Sequence, residues 1–233
     1  MKQSSHSPQA GFTLVELAVV LVIVGLLIGG VLLPLGQRVE TNRIKETQAR
    51  LDAVKQALIG FAIQHGRLPC PAAPNIATGA TNAGVERATC TTAATSWGVV
   101  PWQTLGVEET DAWGRRFGYR VTPAYASAAP TFTLATAGTL YVLPASTTPL
   151  SGALAAQVPA VIVSFGKNGR GGYTSSGTQV PTGGAGADEQ DNYNGAANDN
   201  FVSHVESSNF DDDVVWLPTS VLMYNMVQAG RLP

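Results

Sequence analysis

The sequence predicts an α+β protein: a long N-terminal helix, membrane anchor in its first half and amphipathic in its second, packed on an antiparallel β-sheet head. Three observations predict it. An apolar run covers residues 12–35, interrupted by one ionisable side chain, Glu16. Ile44, Leu51, Val54, Leu58 and Phe61 then recur at helical steps, with Thr47 filling the gap, and such steps draw one apolar stripe on a helix. Beyond Pro69 the chain breaks into short apolar runs separated by turn residues, the pattern of strands.

The first element is the apolar run. Its 24 residues would span roughly 36 Å as a helix, enough to cross a hydrocarbon core of about 30 Å with some tilt. A helix apolar on every face over this length is foreign to the surface of a soluble protein. A carboxylate in such a segment is a functional-site hypothesis. Glu16 lies near the end of the run, where it either snorkels to the interface or meets a cation at its own depth. A cut between Gly11 and Phe12 would create such a cation, the α-amino group of Phe12, one helical turn away. A secretory signal peptide is the ordinary alternative, but the residues after the run, Pro34-Leu35-Gly36-Gln37-Arg38, lack the small-residue cleavage pattern. Lys2 precedes the run, whereas Arg38, Arg43 and Lys45 follow it; the positive-inside count alone would keep the following side in the cytoplasm.

The stripe continues the helix over residues 36–66. Arg43, Lys45, Glu46, Arg50, Asp52 and Lys55 fall mostly off it. Gly66 is the expected C-cap, and Pro69 and Pro71 prevent continuation. The stripe suits packing on the chain's own head, with a seam for a partner helix as the alternative. The domain organisation that follows is residues 1–11 as a leader, 12–35 and 36–66 as the two halves of the helix, and 67–233 as the head.

Cys70 and Cys90 are the only cysteines. An even count in an exported chain points to a disulfide, and closing a loop of about 20 residues stabilises by roughly 3 kcal/mol in the loop-entropy picture. A two-cysteine metal site is the rival, and no nearby histidine supports it. The head's candidate strands are 97–102, 117–122, 131–135, 139–143, 158–165 and 214–217. The run at 158–165 is the most apolar and is expected at the sheet centre. Hairpin-scale gaps favour antiparallel pairing, and a helix or strand over 219–228 closes the chain.

Gly11-Phe12-Thr13-Leu14-Val15-Glu16, running into the long apolar segment, resembles the cleavage and methylation signal of type IV prepilins and pseudopilins. The resemblance implies that a prepilin peptidase cuts between Gly11 and Phe12 and methylates the new terminus at Phe12. It implies that Glu16 pairs with a neighbouring subunit's terminus during assembly. Gly25 and Pro34 fall near the family's helix-weakening positions. Expected partners are other pilin or pseudopilin subunits, the peptidase and an inner-membrane assembly platform. The expected location is a single pass of the bacterial inner membrane, head in the periplasm, then a periplasmic or extracellular filament. The N-terminus-inside orientation rests on this resemblance.

Two head segments extend it. Asp111-Ala112-Trp113-Gly114-Arg115-Arg116-Phe117-Gly118-Tyr119 looks like the D-x-W-G-x-x-[FY]-x-Y stretch of the major pseudopilin of type II secretion. The glycine loop 164–172, followed later by Asp212-Asp213-Val214-Val215-Trp216, resembles that family's calcium loop and its ending. Asn168 stands where Asp is common, and an insert over 173–211 separates the halves. Asp191, Asp199, Asp212 and Asp213 are the candidate calcium ligands, because calcium takes six to eight oxygens, largely from carboxylates, amides and carbonyls. The EF-hand spacing is absent, and a solvated polar loop is the alternative, since Asn, Asp and Gly are turn formers.

Catalytic motifs are thin. His204 lies near Ser203, Glu206 and three aspartates, but G-x-S-x-G and HExxH patterns are missing, so no enzyme is expected. The net charge of −2 gives no electrostatic footprint for nucleic acid. The expected function is a structural filament subunit, minor or specialised, of a type IV pilus or a type II secretion pseudopilus. A membrane-tethered adhesin or calcium-dependent binding module that never polymerises is the alternative.

Overall fold

In the computed structural model the chain is described over residues 11–127, 132–195 and 198–232, with the side chains of 27–36 also outside the description. Helix α1 spans Leu14–His65. The chain divides into two compact units, Met1–Arg43 and Ile44–Pro233, taken here separately. Leader positions 1–10, and the side chains of residues 27–36 of the expected anchor, Pro34 among them, lie outside the description. Among the described residues no helix is long and apolar enough to cross a membrane.

In the first unit Thr13 is the N-cap of α1, and the apolar side chains that follow stand open to solvent: Phe12 is 90% and Leu14 86% exposed. This exposure continues on successive faces through Val15, Leu17, Val20 and Leu21. In the second unit the expected stripe is buried from Thr47 onward, through Leu51, Val54, Leu58 and Phe61, while Ile44 at its start is half-buried. Gly66 ends the helix with φ 73°, its N–H donating to Ala62 O at 2.8 Å. The left-handed conformation is the one glycine adopts without a Cβ penalty.

The head contains strands β1 (Trp97–Val99), β2 (Arg115–Arg116), β3 (Gly118–Val121), β4 (Leu140–Leu143), β5 (Ala155–Val158), β6 (Ala160–Ser164), β7 (Tyr173–Thr174), β8 (Asn200–Val202) and β9 (Asp213–Leu217). Helices α2 (Trp102–Leu105), α3 (Pro123–Ala126), α4 (Ala187–Tyr193) and α5 (Thr219–Gln228) lie between and after them. The main sheet has the order β1-β3-β6-β9, antiparallel throughout. A smaller sheet, β5-β4-β8, pairs β4 with β5 antiparallel and β4 with β8 in parallel. The long connection between β4 and β8 permits the parallel crossover.

β6 explains the layering. All five of its residues are buried. Ala160 and Ile162 join the core formed by Leu51, Val54 and Leu58 of α1 with Leu222 and Met226 of α5. Val161 and Val163 join Leu140, Val142 and Phe201 on the opposite face. Side chains alternate across a strand, so a strand covered on both faces reads as the continuous apolar run seen in the sequence.

Three expectations need correction. The run 158–165 is two strands, because Pro159 has no N–H to donate; its carbonyl instead accepts from Thr122 N at 2.8 Å. The run 97–102 stops at Val99 and re-forms as α2 after Pro101. The run 131–135 is not a strand over its described residues: Thr133 N donates to Thr136 Oγ1 at 2.9 Å and Thr136 N returns to Thr133 O at 3.0 Å. Hydroxyls next to the backbone supply a turn in competition with a ladder, and Phe132 is buried by packing on the Tyr125 ring.

Candidate functional site

At the N-terminus, Thr13 and Glu16 form a reciprocal cap. Thr13 N and Oγ1 both donate to Glu16 Oε2, at 2.9 and 2.8 Å, and Glu16 N donates to Thr13 Oγ1 at 3.3 Å. This is the capping box expected of Thr-x-x-Glu at a helix start. It fixes the Glu16 carboxylate over the first turn, beside Phe12. Gly11 and Phe12 precede the helix, exposed and without regular secondary structure, the form in which a peptide bond is open to a protease.

Cys70 and Cys90 are joined in a disulfide, which settles the rival metal reading. Beside it Arg67 makes two bonds to Glu86, at 2.8 and 2.9 Å, and Cys70 N donates to the same carboxylate at 3.0 Å. Burial works against charge on Glu86, but these donors outweigh it and hold its carboxyl below the usual range. The stretch after the long helix is thus stapled and ion-paired to the loop that crosses it.

The Asp111 segment is a clamp. Asp111 Oδ1 accepts from Trp113 N and Arg115 N, both at 2.9 Å, and Oδ2 accepts from Ser164 Oγ on β6 at 2.8 Å. Helix α1 grips the same turn: Arg50 Nη1 donates to Thr110 O at 2.7 Å, and Thr47 Oγ1 accepts from Ala112 N at 3.2 Å. Burial pushes the Asp111 carboxyl up despite these donors. The next basic residue, Arg116, is fully buried. It pairs with Glu109 at 2.8 Å and donates to Pro74 O, Ile76 O, Thr78 Oγ1 and Ser175 O, while its guanidinium lies 4.6 Å from the Trp102 ring centroid.

The four candidate calcium ligands are not brought together. Asp191 accepts from Asn198 at 3.1 Å. Asp199 pairs with Arg120 at 2.6 Å. Asp213 lies on β9 beside Gln48 of α1. Asp212 alone belongs to a carboxylate group, and its companions are Glu189 and Asp211, with one oxygen of each within 4.8 Å of the others. Glu189 and Asp211 belong to the same oxygen-rich stretch of sequence as the four candidates, but Glu189 comes from α4 and Asp211 from the approach to β9, so their meeting depends on tertiary folding. Burial, with the Glu189 charge beside them, pushes the Asp211 carboxyl up and the Asp212 carboxyl well up.

That spacing suits a cation, but the donors around it do not. Asn168 Nδ2 donates to Glu189 Oε1 at 2.7 Å and to Asp211 Oδ1 at 2.5 Å, and Asn168 N donates to Asp211 Oδ2 at 2.8 Å. Arg170 N donates to Asn168 Oδ1 at 2.8 Å, which fixes the amide with its NH₂, not its oxygen, toward the carboxylates. Arg170 Nη1 reaches Glu189 Oε2 at 3.2 Å. Asn192 Nδ2 donates to Asp212 Oδ2 at 2.9 Å. As arranged, these residues do not fit calcium: an amide nitrogen and a guanidinium take the places that oxygen ligands would fill. Gly166 allows the approach; with φ 56°, a Cβ there would lie 2.1 Å from Asp211 O.

His204 links the loop before β9 to α4. Its Nδ1 meets Val205 O at 2.8 Å, its Nε2 meets Asp188 Oδ2 at 3.2 Å, and its ring stacks on Phe210. Nε2 thus ties the loop before β9 to the first turn of α4, while Nδ1 is held within the loop itself.

Residues 6–32 match the family described as the prokaryotic N-terminal methylation motif. No curated protein matches the chain, and no solved structure matches it. The matched span holds Gly11, Phe12, the Thr13–Glu16 cap and the exposed apolar turns that follow. Residues 6–32 thus carry the prepilin-type signal of type IV pilins and pseudopilins, which supports a pilin- or pseudopilin-like precursor and points to a structural subunit.

Proposed function

We propose that the chain is a minor pilin or pseudopilin of a type IV pilus or type II secretion pseudopilus. Prepilin peptidase cuts it between Gly11 and Phe12 and methylates Phe12. The helix after the cut, residues 12–35, holds the subunit in the inner membrane with the head in the periplasm. The subunit then enters a filament by packing α1 against the helices of other subunits, on an inner-membrane assembly platform.

The observation that carries this reading is the methylation motif over residues 6–32 together with the state of the residues within it. The apolar side chains from Phe12 to Val24 are exposed, and an apolar surface of this extent needs lipid or protein to cover it. Glu16 stands at the start of that surface. A charge at the centre of a membrane helix costs about 2.5–3.5 kcal/mol, less near an end, and a neighbour's Phe12 amine offsets it. The Thr13 cap holds the carboxylate ready on the first turn. Calcium has no part in this reading.

The test is mass spectrometry of the mature protein combined with crosslinking through α1. The expected terminus is N-methylated Phe12, with crosslinks to pilin-like subunits. Glu16→Ala should enter the membrane normally and lose those crosslinks. A mature chain starting elsewhere, or a chain that crosslinks to no subunit, defeats the proposal and favours a tethered binding module.

A further inference from the structure

We infer that the loop Gly166–Gly172 is tied to α4 and to the segment entering β9 by the chain's own donors, with the Asn168 amide and the Arg170 guanidinium standing where a bridging cation would otherwise be required, so that the head folds independently of divalent cations. The inference concerns the head alone and is indifferent to whether the protein polymerises.

Three carboxylates converge from separate parts of the chain, Glu189 from α4 and Asp211 and Asp212 from the approach to β9. Glu189 is 1% and Asp212 8% exposed. Carboxylates brought this close repel strongly unless something positive or hydrogen-donating lies between them. Asn168 does so directly. Its one NH₂ group bridges Glu189 and Asp211, and its own backbone N–H takes the second oxygen of Asp211. Reversing the amide would set its oxygen against two carboxylates and its nitrogen against the Arg170 N–H, so the orientation is locked by both neighbours.

Arg170 adds the charge. It sits two residues beyond Asn168, fixes the amide through its backbone N–H and reaches the second oxygen of Glu189 through its guanidinium. A divalent ion placed among the three carboxylates would have to displace a guanidinium and turn an amide against its bonding. Asp212 is served separately by Asn192, which also exchanges hydrogen bonds with the Val202 backbone of β8 through its Nδ2 and Oδ1. The polar core of the insert is therefore closed by donors that the sequence itself supplies. An aspartate at 168 would remove the bridge and add a fourth carboxylate, restoring the need for a cation.

The experiment is thermal unfolding of the full-length protein in detergent, with calcium chloride or with EGTA, for the wild type and for Asn168→Asp. The wild-type midpoint should be the same in both to within about 1 °C. A stabilising ion at a hundred times its Kd would raise the midpoint by roughly 5–10 °C for a head of this size, and such a rise in the wild type overturns the inference. Asn168→Asp should unfold earlier in EGTA and recover in calcium. A variant with the wild-type midpoint in EGTA overturns it equally, because the amide would then tie nothing. The wild-type comparison decides the matter even where the variant fails to fold.

Discussion

Arg116→Met is the sharpest perturbation the head offers. The substitution keeps the aliphatic stem against Trp102 and deletes the guanidinium. Glu109 then loses a charged partner at 2.8 Å, and the carbonyls of Pro74 and Ile76 each lose an N–H donor. Breaking a buried ion pair from one side costs about 3–5 kcal/mol. The Glu109 side chain is 19% exposed, so water relieves part of its loss and the lower end applies. The Ser175 carbonyl still accepts from Thr78 N at 2.8 Å and adds little. We expect a loss of about 3 kcal/mol, or roughly 6–12 °C in Tm for a domain of this size. The assay is urea and thermal unfolding of the detergent-solubilised protein, in a double-mutant cycle with Glu109→Gln. The coupling should be at least about 1 kcal/mol, within the range for contacting residues. A loss under about 1 kcal/mol, or strict additivity with Glu109→Gln, refutes the assignment of Arg116 as the anchor of these loops.

Two further outcomes follow from the same head. Replacing Cys70 and Cys90 together with alanine should destabilise it by about 3 kcal/mol, the loop-entropy expectation for a separation of 20 residues, while leaving the unfolding cooperative; a change of Tm within error in non-reducing buffer would show that the loop is held by Arg67 and Glu86 alone. Asp111 sets a pH dependence. Its carboxyl is raised above the ordinary value of 3.8, so just above that pH the folded chain holds a proton that the unfolded chain has released. Its contribution to stability therefore falls as pH rises through the folded pKa. Asp111→Asn keeps an oxygen for Trp113 N and Arg115 N and removes the titration. Its denaturant midpoint should decline less than the wild type's between about pH 4 and about pH 7; parallel curves would discount Asp111 as a source of the slope.

The residues that carry periodicity announced their places, and those that carry polar tertiary contacts did not. The stripe Leu51, Val54 and Leu58, the cap at Gly66 and the apolar β6 follow from local rules that operate before the chain is folded. The disulfide was legible because two cysteines at loop spacing, with no histidine nearby to share a metal, leave few options. The prepilin-type signal was legible because a single acid in an apolar run is conspicuous. Arg116 was not, since nothing in Arg115-Arg116 says which guanidinium turns inward; Glu109, Pro74, Ile76 and Ser175 decide that once the loops meet. The insert before β9 reads as polar loop, yet it contains α4 and β8, held by Glu189 and Asn192 through buried hydrogen bonds that leave no hydrophobic period. Asp191, Asp199 and Asp213 go to separate partners, and only Asp212 of the four candidates meets other carboxylates, those of Glu189 and Asp211.

The strand pairing of β6 has a consequence for how the head comes into being. Its two neighbours in the sheet, β3 and β9, lie on either side of it in the chain, and β9 follows only after the whole polar insert. Until β9 arrives, one edge of the most apolar strand stays unpaired and able to template aggregation. Closing such distant partners is slow because the intervening chain must be ordered first. A nascent head therefore keeps the β6 edge open while residues 165–212 are still being added, and crowding or delay in that interval should favour misassociation at this edge.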